Sequence, residues 1–155
     1  DSSGILQYAS IKATIFSPEA ICVLTCLHNQ KGKMMTELNA QSDRMVLLIS
    51  CKIKDTEKFK AWSRDRASKY VYDLKEENSI SYEWHISTDE TEATLMEAFA
   101  DSDSMMVRLG NLMASPVATE VHQQVDITGV LCLGNAKQDA IEALSIWGAT
   151  FHSHQ

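Results

Sequence analysis

Residues 80–87 alternate between two kinds of side chain, and each kind could take part in chemistry. Tyr82 and Trp84 share one side of an extended chain, and Glu83 and His85 share the other. Aromatic rings can hold an aromatic ligand, whereas carboxylate and imidazole groups can carry protons. We predict that Tyr82 and Trp84 face the helices and wall a cleft, with large core residues as the simpler alternative. Glu83 and His85 then lie on the opposite face, where the simpler interpretation is a hydrogen-bonded interface.

Glu97 and Arg108 are charged residues that stand among apolar neighbours. Glu97 alternates in phase with Leu95 and Phe99, so a buried strand face would bury its carboxylate as well. A buried charge must be paired, and a structural ion pair with a strand or helix cation is simpler than a functional role. Arg108 lies just outside the edge of an apolar helical stripe at about 100° per residue. We expect its stem to cover apolar surface, with the guanidinium at a cleft mouth or, more simply, in solvent.

Composition excludes several classes of protein. The chain has 155 residues, of which 45% are hydrophobic, and its 14 basic and 21 acidic residues give a net charge of −7. This length suits one sizeable core and is too short for two full domains. Because phosphate binding needs clustered Lys and Arg, the acidic balance argues against nucleic acid as a partner. No apolar run approaches the ~20 residues of a membrane helix, so we expect no membrane span.

The spacing of the metal-binding residue types does not predict a metal site. The chain has four cysteines, which are Cys22, Cys26, Cys51 and Cys132. They form no CxxC pair, and Cys51 and Cys132 lie in apolar runs where a free thiol behaves as a small buried hydrophobe. We interpret all four as reduced, which favours the cytoplasm over secretion. His122 is isolated, and His152 and His154 have no carboxylate or cysteine beside them.

Residues 1–44 differ in character from the rest, and we assign them to an N-terminal extension and linker. Residues 11–15 alternate as a half-buried strand does, and Ser17 followed by Pro18 is typical of a helix start. The apolar run at 20–27 has no basic run before it and no small-x-small site after it, so we do not interpret it as a signal peptide. The sequence therefore predicts a β-α extension before a domain at 45–155.

The elements of that domain follow from hydrophobic periodicity. The patterns predict β-α-β-β-α-β, followed by a further helix and a short strand. The predicted strands span residues 45–49, 80–87, 92–99, 121–133 and 149–152, the fourth bulged at Gly129. The predicted helices run from Asp55 to about Asn78, over 103–113, and from an Asn135 cap to Gly148.

This order predicts a ferredoxin-like α+β fold, with an antiparallel sheet and both main helices on one face. The other face of such a sheet needs cover. Two sheets that pack face to face in a twofold homodimer would supply it.

Three segments of the domain resemble the antibiotic biosynthesis monooxygenase family of dimeric α+β barrels. They are SYEWHIS at 81–87, MEAFADSDS at 96–104 and LGN at 109–111. The tail at 125–151, with its WGATF run, is similar to that of the quinol monooxygenase-like members. The resemblance covers 45–151, about two-thirds of the chain, and it is more specific for the fold than for the chemistry.

The resemblance implies a monooxygenase that oxidises a small phenol or quinol with O₂ and needs no metal, flavin or haem. A neutral phenol is a poor electron donor to O₂ and its phenolate is a good one, but the pKa of a phenol is about 10. The protein must therefore lower that pKa with a cation or hydrogen-bond donors, supply a base, and keep water from the ring.

One position departs from the family pattern. Members often carry a His in the second helix, three residues before the Asn of the motif; here Arg108 stands there, before Asn111. Arginine cannot act as a base near neutral pH, although it can stabilise a phenolate. The same departure argues against the haem-degrading branch of the superfamily, which uses a helix His as its iron ligand.

We therefore predict a substrate site in which Arg108 stabilises the phenolate and the base stays unassigned. His85 is a candidate base only if it lies on the cleft side. The predicted substrate-binding residues are Tyr82, Trp84, Glu97 and Asn111. The alternative is a non-catalytic module that binds a small ligand or a partner on the same fold, because a fold does not fix a function.

Overall fold

The computed structural model of the chain describes residues 42–154. The strand, the helix and the two cysteines expected before residue 42 lie outside the described residues. The elements are β1 (Met45–Ile53), α1 (Thr56–Trp62), a π-helical segment π1 (Ser63–Ser68), α2 (Lys69–Asp73), β2 (Ser79–Ile86), β3 (Glu92–Phe99), α3 (Ser102–Met113), α4 (Pro116–Gln124), β4 (Val125–Leu133), α5 (Gln138–Ser145) and β5 (Thr150–His152). In this part of the chain, no helix has both the length and the apolar character needed to cross a membrane.

The described strands form one sheet in the order β2-β3-β1-β4-β5. β1 lies antiparallel between β3 and β4, β2 is antiparallel to β3, and β5 runs parallel to β4. This is the ferredoxin-like order with one strand added at the edge. The predicted α+β fold class is therefore confirmed.

Side-chain caps fix where the two main helical segments begin. The Asp55 carboxylate accepts a hydrogen bond from the backbone N–H of Lys58 at 3.1 Å, as the sequence predicts for the start of α1. Asp101 does the same for α3, accepting from the N–H of Ser104 at 2.8 Å. Each cap satisfies a backbone N–H in the first turn of its helix and so fixes the residue at which the helix begins.

The core lies between the sheet and its helices, in two clusters. The larger cluster consists of Met45, Leu47, Phe99, Met105, Leu109, Val130, Cys132, Ala140 and Leu144. The smaller consists of Cys51, Phe59, Ala93 and Val125, with Trp62 and Trp84 packed against it. Cys51 and Cys132 are buried free thiols, as predicted, and burial raises the pKa of Cys51 to about 11.

The strand predicted over residues 121–133 is wrong at its start, because residues 116–124 form α4. Pro116 occupies the first turn of this helix, where its missing N–H costs nothing, and it therefore starts an element as well as following α3. Val117 and Val121 stand four residues apart on one helical face, and Val117 is buried. The bulge expected at Gly129 is present beside it, since Ser50 pairs with Gly129 and Cys51 pairs with Ile127.

The cap predicted at Asn135 is also wrong. Helix α5 begins at Gln138 after Lys137, and the Asn135 side chain instead accepts a hydrogen bond from the N–H of His154 at 3.2 Å. Asn135 therefore ties the C-terminal segment to the end of β4. Gly148 follows α5 with φ +69°, as predicted for a residue past a helix end.

Gly134, just after β4, occupies a position that only glycine fits. Its φ is +114°, and a Cβ there would lie 2.5 Å from the carbonyl oxygen of Arg44 and 2.9 Å from Sδ of Met45. We expect Gly134→Ala to lower the free energy of unfolding by about 2 kcal/mol, because backbone strain and overlap add together.

Gly110 supplies the matched control, because nothing lies within 4 Å of a Cβ placed there. Gly110→Ala should raise the free energy of unfolding by about 1 kcal/mol, since Ala favours the helix interior. Urea denaturation measures both values. Equal stabilities for Gly134→Ala and the parent protein would contradict this account.

Candidate functional site

An apolar cavity of about 140 Å³ lies between the sheet and the helices. Aromatic and aliphatic side chains form most of its wall. Those from β1, α1, β2, α3 and α4, together with Trp147 after α5, include Ile49, Trp62, Tyr82, Trp84, Leu112, Met113, Val121 and Trp147. Three polar side chains also line it, and they are Glu97, Arg108 and His122. A cavity of about 150 Å³ accommodates benzene, so this one has room for a single aromatic ring.

Tyr82 and Trp84 face the helices and line the cavity, as the strand alternation predicts. The Trp84 ring packs edge-on against Phe59 and Trp62, with centroid separations of 5.1 and 6.1 Å. Its indole N–H donates a hydrogen bond to the Tyr82 hydroxyl at 3.1 Å. Tyr82 and Trp84 are therefore core residues and cavity residues at once, because their rings pack against the core and also form part of the cavity wall.

Arg108 lies buried between two carboxylates, and Glu76, Glu97 and Arg108 together form what we call the buried triad. Its Nη1 donates to Oε1 of Glu97 at 2.9 Å, and its Nε donates to Oε2 of Glu76 at 2.6 Å. The side chains of Arg108, Glu76 and Glu97 are 3%, 5% and 2% exposed. The ion pair expected for Glu97 is present. The expectation of a solvent-exposed Arg108 is wrong, because its edge position on α3 points the guanidinium at these two carboxylates.

Sequence reasoning missed Glu76, the third member of the triad. The first helix was expected to reach Asn78, but it ends at Asp73, and Lys75 and Asn78 adopt positive φ values of 51° and 65°. This turn directs the Glu76 carboxylate inward, where it accepts hydrogen bonds from Nδ2 of Asn111 at 2.8 Å and from the Ser79 hydroxyl at 3.0 Å. The run of charged and polar residues around Glu76 is typical of a solvated turn, and it carries no signal of burial.

Asn111 was predicted to bind substrate, and its position does not support that role. Its side-chain amide donates to Glu76, and its backbone carbonyl oxygen accepts from the Tyr70 hydroxyl at 3.3 Å. It does not line the cavity. Because Asn111 follows Arg108 by three residues on α3, both side chains reach the same carboxylate.

The two carboxylates of the buried triad differ in charge behaviour. Burial raises the pKa of Glu97 to about 7, a rise that Arg108 opposes and the charge of Glu76 reinforces. Burial also works against the ionised form of Glu76, but hydrogen bonds from Asn111 and Arg108 hold its pKa below its usual value. Burial, then the charge of Glu97, raises the pKa of Tyr82 far above its usual value, so this phenol stays neutral. Glu97 is therefore the triad member that changes charge near neutral pH.

His85 lies on the face of the sheet opposite the cavity, together with Glu83. Its side chain is 59% exposed, and its Nε2 is 3.6 Å from Oε2 of Glu83. The condition for His85 as the base is therefore not met within the protomer. His122, expected to be isolated on a strand, lies on α4 and lines the cavity. Among residues 42–154, no three His, Cys, Asp or Glu side chains are grouped to hold a metal ion.

Comparison of the sequence with protein-family models and with curated proteins gives no match. The structure is similar to MupZ from Pseudomonas fluorescens, with a TM-score of 0.62 and 14% identity over 78% of this chain and 92% of that one. It is also similar to SnoaB, a cofactor-independent oxygenase from Streptomyces nogalater, with a TM-score of 0.47 and 14% identity over 63% and 96% of the two chains. A protein from Nitrosomonas europaea, provisionally assigned as an antibiotic biosynthesis monooxygenase, gives a TM-score of 0.44 and 16% identity over 60% and 88%. At 14% identity, the likeness to MupZ shows a shared fold.

The buried carboxyl of Glu97 makes stability depend on pH in a defined direction. Its pKa of about 7 in the folded protein exceeds the value of about 4.3 in an unfolded chain, so the folded state holds a proton between these values. This contribution is fully present below about pH 4 and is lost as the pH rises through about 7.

We expect the free energy of unfolding of the parent protein to fall, relative to that of Glu97→Gln, by about 2 kcal/mol between about pH 5 and pH 8. Guanidinium denaturation of both proteins across this range gives the difference, in which the titrating groups that do not interact with Glu97 cancel. A difference that does not vary with pH would contradict the position and charge assigned to Glu97.

Proposed function

We propose that this chain is a cofactor-independent monooxygenase that oxidises a small aromatic substrate of the quinol or phenol class with O₂. The observation that supports this most is the Glu97 carboxyl, which lines an apolar cavity sized for one ring and has a pKa of about 7. A carboxylate with such a pKa is suited to take a proton from a phenol near neutral pH. Glu97 thus fills the role of base, which sequence reasoning left unassigned.

In this proposal the ring lies against Trp84 and Trp62, with its hydroxyl directed at Glu97 and Arg108. Glu97 accepts the phenolic proton, and the guanidinium of Arg108 stabilises the phenolate that forms. The surrounding apolar wall keeps water away from the reactive species.

The substrate supplies every electron that the reaction needs. The phenolate reduces O₂, one oxygen atom is added to the ring, and the other leaves as water. A hydroquinone is thereby converted to a hydroxyquinone, since hydroquinone plus O₂ has the same atoms as hydroxyquinone plus water. No external reductant enters this balance.

The alternative proposal is a non-catalytic module that binds a small aromatic ligand. The observation that favours it is the mutual pairing within the buried triad, because Arg108 already makes hydrogen bonds to both carboxylates. Such a cluster can serve structure alone. The two proposals share the cavity and differ in turnover.

We expect the protein to take up O₂ with at least one member of a panel of small hydroquinones, and to do so in the presence of chelators. Trp84→Ala should lower kcat/KM about tenfold through loss of ring packing. Glu97→Gln should lower kcat by about 10² or more through loss of the base. In the parent protein, kcat/KM should rise with pH through about 7, because the ionised carboxylate is the active form.

An oxygen electrode measures these rates, and Glu142→Gln, an exposed carboxylate on α5, serves as the matched control with parent-like activity. A thermal shift with the same hydroquinones and no O₂ uptake would favour the binding module instead.

We also propose that the chain forms a homodimer through the face of the sheet that points away from the helices. This face carries a set of partly exposed apolar side chains, which are Val46, Leu48, Met96, Leu131 and Leu133. Leu48 and Leu131 are directly paired across β1 and β4 at its centre. Sheet-on-sheet packing in a twofold dimer would remove these side chains from water.

Sedimentation equilibrium at micromolar concentration should give the mass of a dimer for the parent protein. Leu48→Glu should yield a folded monomer, because a charge would be buried at the centre of the interface. Val107→Glu is the matched control, since Val107 is an exposed apolar residue on α3, and this variant should stay dimeric. A parent protein of monomer mass would overturn the proposal.

A further inference from the structure

Arg108 divides its hydrogen bonds between the two carboxylates, and the proposed function uses one of them. Its Nε bond to Glu76 is the shorter, at 2.6 Å against 2.9 Å for Nη1 and Glu97. A third bond, from Nη2 to the Ser79 hydroxyl at 3.3 Å, also lies on the Glu76 side. Two of the three donor contacts therefore hold the guanidinium toward Glu76.

Glu76 is itself held in place from two elements. Asn111 on α3 donates to its Oε1, and Ser79 at the start of β2 donates to its Oε2. With Arg108 on Oε2 as well, both oxygens of this carboxylate have donors. Glu76 is thus a fixed, fully hydrogen-bonded carboxylate, as a permanent counter-ion needs to be.

The two carboxylates face different spaces. Glu97 lines the apolar cavity, whereas Glu76 lines an adjoining groove with Tyr72, Lys75, Ile80 and Ser81. Arg108 lines both, as do Val71 and Tyr82. Glu76 therefore lies outside the space where the ring would bind, yet it contacts the cation that the ring's oxygen would meet.

We infer that Glu76 is a positioning residue, the fixed counter-ion that holds Arg108 toward the groove and leaves Glu97 as the proton-exchanging carboxylate of the cavity. This inference rests on the proposed function, in which Glu97 is the base. An arginine paired with one carboxylate alone would stabilise its ionised form and lower its basicity. Burial is the main reason that Glu97 keeps a proton until the pH is near neutral, and Glu76 adds to this effect because it balances the charge of Arg108.

Few other charged or titratable groups face Glu97. Tyr82 on β2 and Cys51 on β1 both have pKa values raised by burial, so they stay neutral near pH 7. His122 lines the cavity from α4 and is common to all variants compared below. Lys75 lies in the groove beside Glu76. Beside the larger effect of burial, Arg108 lowers the pKa of Glu97 and the charge of Glu76 raises it.

The test is the titration of Glu97 in the resting protein, followed by ¹³C NMR of labelled Glu carboxyl groups, with the Glu97 signal identified by its loss in Glu97→Gln. In Glu76→Gln the amide oxygen can still accept from Arg108, and the Asn111 amide can flip to suit it. We expect the pH midpoint of the Glu97 titration to fall by about one unit, because Glu97 is then the one carboxylate that balances the charge of Arg108. The midpoint of the kcat/KM profile should move to lower pH by the same amount.

A midpoint that stays in place or rises in Glu76→Gln would overturn the inference, since a merely structural Glu76 would loosen Arg108 and favour protonation of Glu97. Asp65→Asn is the matched control, because it removes a carboxylate paired with a different arginine, Arg64, and Asp65 does not line the cavity. Its Glu97 midpoint should equal that of the parent.

Two further measurements test the inference even if Glu76→Gln does not fold. In the parent protein, the Glu76 signal should show an ionised carboxylate from about pH 5 to pH 9 while Glu97 titrates. A Glu76 signal that titrates in this range while Glu97 stays ionised would overturn the inference. Glu76→Asp, which keeps the charge, should restore most of the parent midpoint. If the midpoint shifts in Glu76→Gln but the protein turns over no quinol, the role of Glu76 is supported and the proposed function is refuted. If the protein turns over a quinol but the midpoint does not shift, the proposed function is supported and the role of Glu76 is refuted.

Discussion

One buried arginine shared between two buried carboxylates is the interaction on which the site depends. Arg108 on α3 connects the turn before β2, through Glu76, to the middle of β3, through Glu97. Removing such a cation would leave two uncompensated buried carboxylates, a change that costs about 3–5 kcal/mol in comparable buried pairs. The same arrangement leaves one carboxylate ionised and the other able to exchange a proton near neutral pH. The same three side chains therefore form the buried ion pairs of the fold and carry the proposed proton transfer.

The fold supplies the surroundings that this cluster needs. β3 lies inside the sheet, so Glu97 is covered by neighbours on both sides, and the helices close the space above it. The aromatic wall is rigid because Trp84 packs edge-on against two rings and donates its N–H to Tyr82. The cavity therefore has an apolar wall with Glu97 and Arg108 on one side. Low polarity around an ionisable group is what shifts the pKa of that group.

Much of this could be predicted from the sequence, and the limits have physical causes. Alternation put Tyr82 and Trp84 on one face of a strand, and the cost of a buried charge required a cation beside Glu97. Both follow from the sequence because strand period and burial are local properties. Arg108 was misplaced because its environment is set by Glu76, which is distant in sequence and enters through a turn with positive φ values. Helix α4 was missed because the spacing from Val121 onward fits a strand and a helix equally well. The role of Asn111 was likewise decided by Glu76.

The proposed function depends on the ionisation of a bound phenol in the cavity by Glu97 and Arg108. The most direct measurement is the ultraviolet difference spectrum, at about pH 7, of a bound nitrophenol-type probe whose absorption shifts when it loses its proton. When the pH is below the pKa that the probe has in water, the parent protein should give the phenolate spectrum and Glu97→Gln should give the neutral phenol spectrum. A probe that binds in the cavity with the neutral spectrum in both proteins would contradict the account.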